Sequence, residues 1–434
     1  MVMSHAESES STQMLCTDPQ KDFITHVAFD FFGRRIATAS SDMTVCVWDL
    51  SQDKKEWTRT ASWKSHFGPI WKVRWAHPEF GQVLATCSFD RSIQIFEEVC
   101  EQRASRLARS GIQVGRGEAT NKWVKRTVFN ESPVNVTDIQ FFPKQLGLIL
   151  VAGTKNGMVR VYEAPDIMNL SQWDMVEEFD AFKEATKDFK RSETPEGSIL
   201  ERPLLERDIS QPYMRFYRAP EEPPKEVPKP PETTISNLRI SAMSFSTCRL
   251  FRELLAVATD SEDEKADICR VVFFEYPQEG RTCEFIEELT IKYEDSIVSD
   301  IAFAPSAGRT HHQIAVAALE DVIIYNIDCE ETHEVVECDK AVTIGTTRRK
   351  TTVNETTSYT SVEIARLPIK FSGSARIWRL NWNLIGSLLT LGYSDGRIRI
   401  WKRHYPNNFV EIGYRDPKIS NKKKSSTLKQ PPYH

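Results

Sequence analysis

The feature that most constrains this chain is a segment, residues 71–96, that holds three strand patterns separated by two turns. Its first strand alternates Trp71, Val73 and Trp75 with other residues, which is the period of a half-buried strand. A turn containing Pro and Gly leads to the small apolar run 83–87, and a second turn leads to the third strand. Three short antiparallel strands cannot bury both faces of their own sheet, so this sheet must stack on copies of itself.

Five further copies of this segment are recognisable from the aromatic residues that end their strands. The first strands end on Phe29, Trp75, Phe141, Phe245, Phe303 and Trp382. The third strands end on Trp48, Phe96, Tyr162, Phe274, Tyr325 and Trp401. The fourth copy departs from the common spacing through an acidic insert at 260–267. Six copies predict an all-β chain built from six small stacked sheets.

A polar turn residue precedes the third strand in four of the copies. The residues at this position are Asp42, Asp90, Asn156 and Asp395. We expect the aspartates to accept hydrogen bonds from backbone amides of the turn, and His66 to join Asp90 in a buried network. These residues and the aromatic residues above are therefore predicted to hold the sheets together rather than to perform catalysis.

The copies resemble WD40 repeats, each of which forms a four-stranded blade of a β-propeller. Trp48-Asp49 keeps the dipeptide that names these repeats, whereas Trp401-Lys402 is a degenerate form of it. The resemblance implies a propeller over 22–403 with blades at about 22–50, 66–98, 134–163, 236–276, 296–327 and 372–403. Candidate outer strands lie at 57–63, at 123–126 and in the sequence FVEIGY near the C-terminus.

Several segments lack the strand pattern. We expect a disordered N-terminus at 1–20 and a long Pro-rich insertion at 177–235, between blades three and four. A Thr-rich, charged loop is predicted at 328–361, and a basic C-terminal tail at 407–434. The prolines of the insertion favour an extended, solvated segment over packed structure.

Composition narrows the class of partner and the compartment. The 434 residues fit one propeller, and the net charge of -5 gives no general support for binding nucleic acid or an acidic membrane surface. The nine cysteines form no CxxC pair, which favours a reducing compartment. The N-terminus has no secretory signal pattern, and no apolar run approaches the ~18 residues of a membrane span. A nucleo-cytosolic protein is predicted.

The number of blades raises a physical question. Six blades can be counted and a seventh is not found, so the ring either closes tightly or leaves a gap with exposed sheet edges. An exposed edge invites aggregation unless another strand pairs with it. This points to a partner that supplies a β-strand in trans.

A closer resemblance is carried by particular tracts. Residues 75–92 resemble a segment shared by the coat protein Sec-thirteen and its paralogue, the Seh-type nucleoporin. The tract VRVYEAPDIMNLSQW (159–173) is the most specific match to the Seh-type proteins, because propeller packing does not require it. Further matching tracts lie at 29–49, 60–82, 121–127, 300–317 and 378–402. The resemblance covers about 22–403 apart from the insertion, which is longer than the connection usual in this family.

The resemblance implies a non-enzymatic scaffold nucleoporin of the Y-shaped outer-ring complex of the nuclear pore, supporting pore assembly and the transport of protein and mRNA. It implies an open six-bladed propeller, completed by strands from an α-solenoid nucleoporin at the edges of blade one (22–50) and blade six (372–403). It further implies other subunits of that complex as partners, and residence at the nuclear envelope. Relatives also serve at kinetochores and, near the lysosome, in the GATOR amino-acid-sensing complex of the TORC pathway.

Two other classes of function compete with this one. The main alternative is a regulatory binding module that recruits a substrate or serves in a nutrient-sensing complex of the GATOR type and reads a peptide on the propeller face. Its candidate contacts are Arg34-Arg35 or Arg397 and Arg399, although plain surface charge explains them too. An enzyme has no support, since the chain lacks phosphate-binding, nucleophile-elbow and HExxH motifs. No cofactor or metal is predicted: Cys329, His333 and Cys338 lack a fourth ligand. His311-His312 is expected in a solvent-facing turn of blade five.

Overall fold

The structure is a computed structural model. It describes residues 20–51, 56–101, 120–183, 238–246, 252–261, 268–276, 282–294, 297–305, 308–318, 321–336, 352–368, 376–404 and 408–415.

These residues form six sheets, each with four consecutive antiparallel strands. Blade one holds β1 (Ile24–Phe29), β2 (Arg35–Ser40), β3 (Thr44–Leu50) and β4 (Trp57–Lys64). Blade two holds β5 (Ile70–Trp75), β6 (Val83–Ser88), β7 (Ile93–Glu101) and β8 (Thr120–Phe129). Blade three holds β9 (Val136–Phe141), β10 (Ile149–Thr154), β11 (Met158–Glu163) and β12 (Asp174–Asp180).

The second half of the chain repeats the arrangement. Blade four holds β13 (Leu238–Phe245), β14 (Leu254–Ser261), β15 (Ile268–Glu275) and β16 (Glu284–Glu294). Blade five holds β17 (Val298–Phe303), β18 (His312–Ala318), β19 (Asp321–Val336) and β20 (Thr352–Pro368). Blade six holds β21 (Ile377–Trp382), β22 (Leu388–Tyr393), β23 (Ile398–His404) and β24 (Asn408–Arg415). The chain is a six-bladed all-β propeller, and the described helices are the short 3-10 turns Pro78–Phe80 and Lys144–Leu146.

The six blades share one register. In blade one, Ile36 on the second strand lies opposite both Phe29 and Trp48, the aromatic residues that mark the repeat. The residues in the same place in the other blades are Leu84, Leu150, Leu255, Ile314 and Leu389. Each first strand also carries an irregularity near its beginning. A position in one blade therefore has an equivalent in each of the others.

Apolar contacts between faces hold consecutive blades together. Between blades one and two, Ala28 and Ala37 pack with Ile70 and Val73 in one buried cluster. Burying such a side chain contributes roughly 1.5–3 kcal/mol relative to leaving it exposed, so the stacked faces supply most of the stability. In this interface, small residues of blade one pack against branched residues of blade two.

Blade five differs from the sequence prediction. The prediction of a loop at 328–361 is wrong over most of that segment. Strands β19 and β20 form a long hairpin there, which is paired from Asp321 opposite Pro368 to Val336 opposite Thr352. The second of these strands is rich in Thr and β-branched residues, which favour extended structure over a solvated loop. The predicted blade boundary at 327 therefore falls inside β19, and beyond it Tyr359, opposite Cys329, is still buried in the core cluster between blades four and five.

The predicted insertion and termini also begin or end differently in the structure. Strand β12 continues to Asp180, and Ala181 and Phe182 are buried, so the start of the segment 177–235 belongs to blade three. Residues 184–237 lie outside the described residues. The tail predicted from 407 contains β24, the outer strand of blade six, and 416–434 lie outside the described part.

The N-terminal prediction is wrong at its last residue. The side chain of Gln20 bonds to Thr38 and to the carbonyl oxygen of Thr44, so it packs on blade one. Residues 1–19 lie outside the described ranges. In the described ranges, no helix is long and apolar enough to cross a membrane.

Candidate partner-binding site

The turn before the third strand of blade two holds a buried polar network. Nδ1 of His66 lies 3.0 Å from Oδ2 of Asp90, and Nε2 lies 2.8 Å from Oγ1 of Thr86. Asp90 also accepts the backbone amides of Phe67 and Ser92. Burial acts to raise the pKa of Asp90, but these hydrogen bonds outweigh it and hold the pKa well below its usual range.

The other turn residues act in the same way with fewer partners. Asp42 accepts the amide of Thr44 at 2.9 Å, and Asp395 accepts the amide of Arg397 at 3.1 Å. The Asn156 side chain instead accepts the hydroxyl of Thr154 at 2.6 Å. The residue that follows has a positive φ in every case: Met43, Arg91, Gly157 and Gly396. These side chains fix tight turns and are not available for chemistry.

The repeat aromatic residues are part of the core. Trp48, Phe96, Tyr162, Phe274, Tyr325 and Trp401 are all buried. They contact the neighbouring strands of their own blade or the preceding blade, as Trp401 does in the cluster between blades five and six. Their role is therefore packing.

The inner strand of blade one, β1, exposes residues that are buried in the other blades. Ile24, Val27 and Phe29 lie where other blades face their predecessor, and 49%, 43% and 58% of their surface is exposed. The equivalents of Ile24 and Val27 in the other blades are at most 7% exposed: Ile70, Val73, Val136, Ile139, Ile240, Met243, Val298, Ile301, Ile377 and Leu380. Blade one thus presents a stacking face that no preceding blade covers.

Blade six shows the matching exposure on its opposite face. Ile398 lies three residues before Trp401 and is 39% exposed. Its equivalents in the other blades are at most 2% exposed: Val45, Ile93, Val159, Val271 and Val322. Ile400 is also only partly buried, although its equivalents are fully buried. This face lacks a following blade.

The buried clusters locate the gap. Across the described residues, an apolar cluster joins every consecutive pair of blades from one to six. The remaining cluster contains Ile36, Cys46 and Trp48 with Trp57, all from blade one, and no cluster of the described part joins blade six to blade one. The propeller is therefore open between these two blades, with an apolar sheet face on each side.

Comparison with known proteins places this open propeller in a family. A profile described as "WD domain, G-beta repeat" matches residues 12–49 and 57–97. The chain is 34% identical to Nucleoporin SEH1 of Homo sapiens and of Bos taurus over 395 residues, which are 91% of this chain and 85% of each relative. The chain belongs to the SEH1 nucleoporin family. Identity to Nucleoporin SEH1 of Danio rerio is 33%, over 91% of this chain and 84% of that protein.

The central channel of this SEH1-family propeller is lined by paired charges. Nζ of Lys72 lies 3.3 Å from Oδ2 of Asp138, and a guanidinium nitrogen of Arg379 lies 3.9 Å from Asp300. Asp138 also accepts the amide of Met243, one blade further on. Both carboxylates make contacts to neighbouring blades, so these charged residues connect the inner strands.

Three of the four candidate face contacts of the sequence analysis form ion pairs, and the fourth, Arg34, is exposed in the turn between β1 and β2. Arg35 of blade one pairs with Asp49 and with Glu98 of blade two, and its guanidinium lies over the rings of Trp75 and Trp123. Arg397 and Arg399 pair with Asp395 and Glu411 in blade six. These arginines consequently brace the SEH1-family blades.

The structure also tests the predictions for the histidine pair and for the loose Cys/His group. His312 is buried, so the expectation of a solvent-facing pair is wrong for this residue, and its Nδ1 lies 2.5 Å from Oγ of Ser246 in blade four. Cys329 lies on β19, whereas the side chains of His333 and Cys338 lie outside the described part. Within that part, no group of three His, Cys, Asp or Glu residues could hold a metal ion.

The resemblance implied a partner contact at the edges of blades one and six, but the sequence did not predict which residues form it. One signal was present. The position occupied by Ala37, Ala85, Val151, Ala256 and Ala315 in the first five blades is Thr390 in blade six. A polar residue on a stacking face indicates a face that meets no following blade of this chain.

Proposed function

We propose that this chain is a non-enzymatic scaffold subunit of the nuclear pore outer ring, whose open side is filled by β-structure from an α-solenoid nucleoporin. The uncovered stacking faces carry the proposal, together with membership of a family of nucleoporins. An uncovered apolar face in an otherwise well-packed protein marks an interaction site.

The shape of the gap defines what the partner must supply. Ile24, Val27 and Phe29 face it from one side, and Ile398 and Ile400 from the other. Each side is a sheet face, so an inserted element gains most by stacking between them as a further blade. The inserted strands must therefore be apolar on both faces, with small or branched side chains.

The scaffold role follows from the same arrangement. A propeller completed by its partner buries area comparable to a blade interface, and such interfaces are typical of permanent complexes. A subunit of this kind supports pore assembly, and through it the transport of protein and mRNA, from the nuclear envelope.

The experiment is purification of the tagged chain from its own cells at high salt, with imaging in interphase. We expect an α-solenoid nucleoporin in equal amount and fluorescence at the nuclear rim. A diffuse pattern with no helical partner would overturn the proposal. A lysosomal pattern with only nutrient-sensing subunits would favour the regulatory alternative.

A further inference from the structure

Two turns beside the gap expose large apolar residues at their tips. The turn between β1 and β2 carries Phe31 and Phe32, which are 62% and 64% exposed. The equivalent turn between β21 and β22 carries Leu384 and Ile385, which are 87% and 65% exposed. Both turns lie at the rear end of the channel, defined here as the end where the first strands finish. Core packing explains neither pair.

The two turns are built alike and are held in place. Oδ1 of Asp30 accepts the amides of Arg34 and Arg35, and Oδ1 of Asn383 accepts those of Ser387 and Leu388. Each turn closes on a glycine with a φ of 66°, Gly33 or Gly386. The tips are thus presented by preorganised turns, which lowers the entropy lost on binding.

Neighbouring blades add a second restraint. The ring of Phe31 lies 4.8 Å, centroid to centroid, from that of His77 in blade two. The guanidinium of Arg309 in blade five donates to the carbonyl oxygen of Gly386. Each turn is therefore braced from the side away from the gap, which leaves Phe32, Leu384 and Ile385 free to contact another molecule.

The corresponding turns of blades two and three, which the structure describes in full, do not show this exposure. In blade two the corresponding turn buries its apolar residue, Phe80, and in blade three Leu146 packs partly against a core cluster. At the front end of the channel, the residues beside the gap are the charged Lys21, Asp22 and Arg376 together with the exposed apolar residues Phe23, Ile24 and Trp378. Among the turns of this kind that the structure describes in full, paired exposed apolar tips thus occur on the two blades that border the gap.

We propose that these two turns form a second docking surface for the partner that fills the gap, and that an apolar helix face of that partner packs across Phe32, Leu384 and Ile385. The proposal rests on the proposed function, because it assigns the occupant through continuity with the open side. Strands inserted between β1 and β21 must leave the gap at one end of the channel. The rear end offers paired apolar tips on preorganised turns for the chain that follows them, whereas the front end mixes exposed apolar side chains with the charged Lys21, Asp22 and Arg376.

A helical protein suits this surface better than a bilayer. The net charge of -5 provides no general attraction to anionic lipid, and only four apolar side chains are presented. An apolar helix face repeats at i, i+3, i+4 and i+7 and continues along the helix, so a helix of several turns can contact both pairs of tips.

The test compares the double variant Leu384→Ser/Ile385→Ser and the variant Phe32→Ser with Phe67→Ser. Phe67 is 94% exposed and precedes β5 at the front end, so it controls for loss of an exposed apolar residue. Each tagged variant is purified with its strand-donating nucleoporin, and dissociation of that partner is followed after dilution. We expect about tenfold faster dissociation for both rear-end variants, a loss typical of an apolar anchor, and no change for Phe67→Ser.

Hydrogen exchange and vesicle sedimentation complete the test. In the wild-type complex, amides at 383–388 and 30–35 should exchange more slowly than in the isolated chain, and thermal melting of the isolated variants should match wild type. Equal partner dissociation for all three variants would overturn the docking surface while leaving the proposed function standing. Absence of any helical partner from the wild-type chain would reject the proposed function instead. Sedimentation with neutral or anionic vesicles that the rear-end variants abolish would assign the tips to a membrane and overturn the inference.

Discussion

Lys72 and Asp138 form a buried ion pair between blades two and three, with 3.3 Å between Nζ and Oδ2. Burial lowers the pKa of Lys72, and the charge of Asp138 opposes that effect. Asp138 also accepts the amide of Met243 at 3.0 Å, so one carboxylate connects three consecutive inner strands. These contacts link neighbouring blades although the ring is not closed.

The first prediction follows from this pair. Asp138→Ala leaves the Lys72 ammonium buried without its partner, and we expect a loss of about 3–5 kcal/mol in the free energy of unfolding. The double variant Lys72→Met/Asp138→Ala removes the stranded charge and should recover part of that loss. Urea unfolding followed by tryptophan fluorescence measures both. A double variant no more stable than Asp138→Ala would show that the Met243 amide, rather than the ion pair, dominates.

Trp401 provides a test of the blade-six register. Its ring is buried in the cluster between blades five and six, so Trp401→Ala should lower the free energy of unfolding by about 3–5 kcal/mol. Trp378 lies in the same blade but is 59% exposed, and Trp378→Ala should change stability by less than about 0.5 kcal/mol. Similar losses from both substitutions, measured by chemical unfolding, would mean that this assignment of core and surface is misplaced.

Val27 and Val73 occupy equivalent positions and should respond in opposite ways to a charge. Val27→Lys places an ammonium on an exposed face, so the isolated chain should stay within about 0.5 kcal/mol of wild type. The same ammonium must block an inserted apolar strand, and recovery of the partner at high salt should be lost. Val73→Lys buries an unpaired charge and should prevent soluble folding. A Val27→Lys chain that still retains its partner would place the insertion elsewhere.

His312 gives the protein a defined dependence of stability on pH. Burial, together with the charge of His311, lowers the pKa of His312 from 6.5 to about 4. Between these values the unfolded chain binds a proton that the folded chain does not, so stability is full above pH ~7 and falls as the pH drops towards ~4. The free energy of unfolding lost across this pH range through His312 is about 3 kcal/mol. His312→Gln should flatten the profile over that window, and an unchanged slope in urea titrations would assign the dependence to other groups.

The long Pro-rich segment is predicted to be dispensable for folding. Blade three ends at β12 and blade four begins at β13, so all four strands of each blade are supplied without residues 205–232. Deleting 205–232 should leave solubility and the melting temperature unchanged. Loss of soluble protein would instead show that this segment contributes to the propeller core.

The repeated spacing of strands and aromatic residues predicted much of the architecture. The aromatic residues that ended the predicted first and third strands share one register in all six blades, because that pattern expresses a packing need of each small sheet. The blade-five hairpin was missed because Thr and Glu in 328–361 suggest a loop, whereas cross-strand pairing over the whole hairpin favours strands. His312 was missed because its partner, Ser246, lies in another blade.

The sequence by itself determined that this chain repeats six small sheets, since strand period, turn residues and aromatic spacing are local and survive without coordinates. Its resemblance to WD40 repeats is what predicted a propeller. Only the tertiary structure decided which equivalent residues are left uncovered. Val27 and Val73 are the same amino acid at the same place in the repeat, and one is exposed while the other is buried. The difference lies in whether a neighbouring blade is present, and burial depends on what surrounds a residue in space rather than on the residue itself.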